Sequence, residues 1–164
     1  MTANSLADVP LEKTNDFRTL EKECHLTASA LEQKAFVPAR RAGNLIFVSG
    51  QLPLVEGRIL NPGTVGDTVS VEQASDAAKV AAQHCLTVLE KELGSLDQVE
   101  AVVKINGYVA STPGFTAQAT VIDAASRLVL DTLGDAGIHA RLSIGVASLP
   151  LGAPVEIELI AIVK

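Results

Sequence analysis

A chain of 164 residues, 48% of them hydrophobic, suits one compact domain with a real core, and two independent domains would be cramped. A formal charge of −6 and an isoelectric point near 5.0 disfavour nucleic acid as a partner, because the average surface repels phosphate. No apolar run approaches the roughly 18–20 residues that cross a bilayer, the first residues lack the layout of a signal peptide, and Cys24 and Cys85 form neither a CxxC nor a disulfide framework, so a soluble cytoplasmic protein without membrane contact is expected.

Residues 1–35 crowd Glu12, Lys13, Asp16, Arg18, Glu21, Lys22 and Glu23 together without clean alternation. They read as an N-terminal extension, with apolar spacing too sparse to insist on a helix over Asp16 to Leu31. The compact domain is expected over 36–164. Leu45-Ile46-Phe47-Val48 is a short apolar run ending at Ser49-Gly50-Gln51, which predicts a strand beside an exposed glycine. A second arm near Leu54 to Leu60 precedes a loop marked by Asn61, Pro62, Gly63 and Gly66.

Ser70-Val71-Glu72-Gln73 has the form of a capping box, and Ala74, Ala77, Ala78, Ala81, Cys85, Val88 and Leu89 recur at helical spacing up to Gly94. A helix with a small-residue face, fit for close packing on a sheet, follows. Val99 to Val109 reads as a central strand in which Val103, Ile105, Gly107 and Val109 alternate against Val102, Lys104, Asn106 and Tyr108. Thr112-Pro113 is the expected entrance to a second helix, which carries Val121, Ile122, Ala125, Leu128, Val129 and Leu133 on one face and ends at Gly134 or Gly137.

Strands over Ala140 to Ala147 and Val155 to Val163 complete the chain. The order predicts an α+β fold, one antiparallel or mixed sheet with both helices on one face. Alternation in the first of these strands assigns Leu142, Ile144 and Val146 to the helices and leaves Arg141, Ser143 and Gly145 facing elsewhere. The uncovered face then calls for a cover, and a partner subunit would supply it.

Two charged side chains stand out. Arg141 opens its strand, where a guanidinium can grip a carboxylate through two parallel hydrogen bonds; the alternative is a surface Arg paired with an acid. Glu156 shares a strand face with Glu158 and Ile160, either as a solvated face or, partly buried, as a base with raised proton affinity. His139, His84 and His25 could suggest metal or acid–base work, but His84 and Cys85 project about 100° apart on a helix, which argues against joint chelation, and Tyr108 and Lys104 read as strand-face residues rather than catalysts.

The segments Gly43-Asn44-Leu45-Ile46-Phe47-Val48-Ser49-Gly50-Gln51, His139-Ala140-Arg141 with Gly145-Val146-Ala147-Ser148-Leu149-Pro150, and Val155-Glu156-Ile157-Glu158 resemble the YjgF/RidA family of reactive-imine deaminases. The resemblance spans about residues 36 to 164 and implies a chorismate-mutase-like fold and a homotrimer with clefts between subunits. It implies hydrolysis of 2-imino or enamine acids to 2-oxo acids and ammonia, with no metal or organic cofactor. Arg141 would hold the substrate carboxylate and Glu156 would guide the attacking water. Phe36, Ser49, Gly50 and Ser143 would line the substrate, with Gly50 offering backbone groups. Phe36 stands where many members have Tyr, Leu142-Ser143 replaces a Ser-Cys or Ser-Ala pair, and His139 replaces a Pro of the short members. A non-catalytic trimer that binds a carboxylate metabolite is the other reading, and an endoribonuclease fits the acidic balance less well.

Overall fold

A computed structural model describes residues 35–164; the extension, apart from Ala35, and the helix considered over Asp16 to Leu31 lie outside them. The strands are β1 (Ala39–Ala42), β2 (Leu45–Gln51), β3 (Leu54–Val55), β4 (Arg58–Ile59), β5 (Val99–Ala110), β6 (Ala140–Val146) and β7 (Val155–Val163), and the helices are α1 (Val71–Leu93) and α2 (Gln118–Leu133). Five strands form one sheet in the order β1-β2-β7-β5-β6. Only β5 and β6 run parallel, with α2 between them in the chain; the other three pairs are antiparallel. The mixed sheet with two helices is therefore the predicted α+β fold.

Local chemistry accounts for the element ends. Ser70 Oγ accepts from the Gln73 backbone N–H at 3.2 Å while Gln73 Oε1 accepts from the Ser70 N–H at 2.9 Å, closing the capping box of α1. Gly94, with φ 81°, stops the helix. Between β3 and β4, Glu56 and Gly57 both take positive φ, the twist that a two-residue hairpin requires.

The core lies between the helices and one sheet face. Ala74, Ala77, Ala78, Ala81, Cys85, Leu86 and Leu89 of α1 are fully buried, as are Ile157 and Ala161 of β7. Small side chains let the α1 backbone approach the sheet closely, and the Cys85 thiol packs there as a small hydrophobe, its pKa pushed up by burial. His84, next in the chain, turns away and donates from Nδ1 to the Leu52 carbonyl at 2.9 Å.

Four expectations change. β1 is a strand that the sequence did not announce; it pairs with β2 across Gly43-Asn44, with Gly43 at φ 63°. α2 starts at Gln118, after a turn in which the Phe115 N–H bonds the Thr112 carbonyl, so Thr112-Pro113 forms the turn and not the helix entrance. β5 is irregular between Val102 and Lys104, so Val102 is buried and Val103 exposed, breaking the simple alternation.

The fourth change is the facing of β6. Cross-strand partners share a face. Arg141 pairs with buried Ile105, which pairs with buried Leu159, so Arg141, Ser143 and Gly145 face the helices. Leu142 and Ile144 pair with Asn106 and Tyr108 on the open face and remain exposed, the reverse of the expected assignment.

Gly107 sits at a close sheet–helix approach. A Cβ there would come 2.6 Å from side-chain atoms of fully buried Ile122 on α2. Gly107→Ala is expected to destabilise the fold by about 1–3 kcal/mol, the cost of overpacking, read as a lower urea midpoint at unchanged slope.

Candidate functional site

Arg141 lies at an edge of the sheet because β6 is the last strand, and α2 crosses beside it. Its Nη1 donates to Asp123 Oδ1 at 2.7 Å and to Ser126 Oγ at 3.1 Å, both on α2. The surface alternative, an Arg paired with an acid, is thus realised in the chain. Ser126 Oγ lies 3.0 Å from His139 Nε2, and His139 Nδ1 lies 2.7 Å from the Gly137 carbonyl. A carbonyl only accepts, so Nδ1 carries the proton, and in the neutral ring Nε2 accepts from the Ser126 hydroxyl. The hydroxyl oxygen keeps a lone pair for Arg141.

These residues line a cleft of about 730 Å³, which also includes Arg127, Leu130 and Ile138. It combines two guanidiniums with apolar walls, a composition suited to a small organic anion. A second cleft, of about 430 Å³ and lined by residues such as Thr64, Thr68 and Ser148, contains no ionisable side chain. Ser143 stands two residues beyond Arg141 on the same face, and its buried hydroxyl has no hydrogen-bond partner among the described residues.

The open face carries a second group. Glu156 stands opposite Tyr108, and Glu158 opposite Asn106. Glu158 Oε1 accepts from Asn106 Nδ2 and, at 3.1 Å, from the Tyr108 hydroxyl. Burial raises the Tyr108 pKa, and the Glu158 charge adds to it, so the phenol remains the donor. Glu156 is held above the ordinary carboxylate range, first by burial and then by the neighbouring Glu158 charge. Gly50 borders it so closely that a Cβ would fall on the Glu156 carboxylate.

The predicted site residues therefore fall into two sets. Arg141 and Ser143 meet on the helix side of β6, while Glu156 and Gly50 meet on the open side, and within one chain the sheet separates the sets. Ser49 spends its hydroxyl on the Val37 carbonyl at 2.7 Å. Phe36 is 74% exposed. Asp123, Ser126 and Asn106 were not singled out from the sequence. Asp123 and Ser126 are 18 and 15 residues from Arg141, a separation that carries no spacing signal.

Among the described residues no helix is long and apolar enough to cross a membrane. Residues 27–163 match the sequence profile of the family described as Endoribonuclease L-PSP. The chain is similar to Protein TCP17 of Trypanosoma cruzi, 38% identical over 134 residues that cover 81% of this chain and 84% of that protein. It resembles the crystal structure of Atu1372, a protein of unknown function from Agrobacterium tumefaciens, at a TM-score of 0.79 and 43% identity, covering 80% of this chain and 83% of that one. E. coli TdcF with bound serine shares the fold at a TM-score of 0.56 and 22% identity, covering 79% and 88%.

Proposed function

Since the chain belongs to the Endoribonuclease L-PSP family, the YjgF/RidA family, we propose that it hydrolyses reactive 2-imino or enamine acids to 2-oxo acids and ammonia. The observation that carries the reading is the Arg141 cleft: only Nη1 of the guanidinium is engaged among the described residues, and Nη2 and Nε present an edge to a carboxylate. The serine bound to TdcF is a small amino acid, the chemical class such a cleft suits.

In the proposed reaction Arg141 holds the carboxylate and fixes the imine carbon in position. Glu156, whose raised pKa brings it nearer neutrality, takes a proton as water adds to the C=N bond. Glu156 returns that proton to the nitrogen, and the resulting carbinolamine expels ammonia as its hydroxyl proton passes to the nitrogen, leaving the 2-oxo acid. Ser143, Gly50 and Ser49 would contact the substrate, and the Phe36 ring would wall its carbon chain. No metal or organic cofactor enters these steps.

Because the sheet separates Arg141 from Glu156 within one chain, the reading requires two copies to complete each site. We place the clefts between subunits of a homotrimer, with the β6 edge of one copy meeting the open face of the next. The open face carries exposed Phe47, Leu142 and Ile144, apolar area that a neighbouring copy would cover. Light scattering is expected to give three times the chain mass, and a stable monomer at micromolar concentration would remove the composite site.

The activity test adds purified protein to enzymatically generated 2-aminoacrylate or 2-iminobutyrate and follows semicarbazone trapping together with 2-oxo acid release. Less trapped semicarbazone with faster 2-oxo acid formation is the expected result. Carboxylate binding without turnover would instead support the regulatory trimer, and cleavage of RNA by the same preparation would support the endoribonuclease reading.

A further inference from the structure

Asp123 is the one carboxylate among the described residues lining the Arg141 cleft, and it already holds Nη1 of the guanidinium. A ligand carboxylate on the remaining Nη2 and Nε edge shares the guanidinium with a like charge held 2.7 Å from Nη1. The Asp123 side chain is 66% exposed against 26% for Arg141, so the acid is the partner free to move. Arg127 lies four residues further along α2 and lines the same cleft, at the helical spacing where an acid and a base face each other.

We propose that Asp123 competes with the ligand carboxylate for the charge of Arg141 and is released to Arg127 when a 2-oxo or 2-imino acid binds, so that this exchange sets the affinity of the site. The proposal rests on Arg141 being the substrate-carboxylate seat. Ser126 and His139 make the exchange workable. When Asp123 leaves, Nη1 keeps the Ser126 oxygen, and Ser126 is itself held by His139, which is anchored on the Gly137 carbonyl. The guanidinium stays aimed while its anion changes.

Titration of 2-oxobutyrate by calorimetry into the full-length protein, Asp123→Asn, Arg127→Gln and the double variant tests this. Asn keeps the side-chain oxygen that accepts from Arg141 but loses the competing charge, so Asp123→Asn is expected to bind about two- to fivefold more tightly, the range one exposed ion pair supplies. Arg127→Gln is expected to weaken binding in the wild-type background and to have no effect in the Asp123→Asn background. Unchanged or weaker binding by Asp123→Asn, with wild type binding normally, overturns the competitor role alone. An equal Arg127→Gln effect in both backgrounds overturns the exchange, because Arg127 would then act on the ligand directly. Binding by neither wild type nor Asp123→Asn, both folded by thermal melting, removes the carboxylate seat itself and the competitor with it.

Discussion

Arg141→Lys is expected to lower the affinity for 2-oxo acids about 10- to 100-fold and to cut imine hydrolysis at least as much, while the fold and the assembly persist. An ammonium keeps the charge but replaces a planar fork with a point donor, and losing one charge-assisted hydrogen bond of a two-point grip costs about 1.5–3 kcal/mol. The fold has little at stake, because β6 is an edge strand and the Arg141 side chain's hydrogen bonds to α2 go to Asp123 and Ser126, both polar and near the surface. Calorimetric titration with 2-oxobutyrate and the semicarbazone assay give the two readouts. Wild-type values for both in the folded variant would reject the carboxylate-holding role.

Glu156→Gln is expected to separate binding from turnover. Gln retains volume and hydrogen-bonding capacity but accepts no proton, so kcat is expected to fall about 10²- to 10⁴-fold with 2-oxo acid affinity largely kept. The wild-type rate is expected to fall with decreasing pH through an inflection above 4.5, since burial and Glu158 raise the Glu156 pKa from that value. Stability responds in the opposite sense. The folded state binds the Glu156 proton more tightly than the unfolded state, so its contribution is full below pH 4.5 and is lost as pH rises through the raised pKa. Glu156→Gln should therefore melt at or above the wild-type temperature at neutral pH, and this advantage should vanish near pH 4. A variant that keeps wild-type turnover would reject Glu156 as the base.

The composite character of the proposed site explains why these variants probe different things. Arg141 and Ser143 lie on the helix side of an edge strand, whereas Glu156 and Gly50 belong to the open face. Truncating the Arg side leaves the Glu158, Asn106 and Tyr108 contacts of the open face in place, and altering Glu156 leaves the Asp123, Ser126 and His139 contacts in place.

Where a segment's own chemistry decides its conformation, the sequence was sufficient. The Ser70 to Gln73 capping box, the Ala stripe and Gly94 specify α1 from within 25 residues, and the alternation of Val155, Ile157 and Leu159 with Glu156 and Glu158 specifies a strand with its apolar set inward. The family segments around Gly50, Arg141 and Glu156 identified the fold for the same reason, being local patterns. Alternation in β6 yields two faces without saying which is inner: at a sheet edge both sets stay partly exposed, so Leu142 and Ile144 face out although they are apolar. β1 has no strong alternation of its own and becomes a strand by pairing with β2. The start of α2 moved to Gln118 because Thr112 and Pro113 are used by a turn. The Asp123–Arg141 pair and the separation of Arg141 from Glu156 by the sheet were decided by tertiary structure alone, because they depend on where α2 crosses and on strand register, and neither is written in the spacing of those residues along the chain.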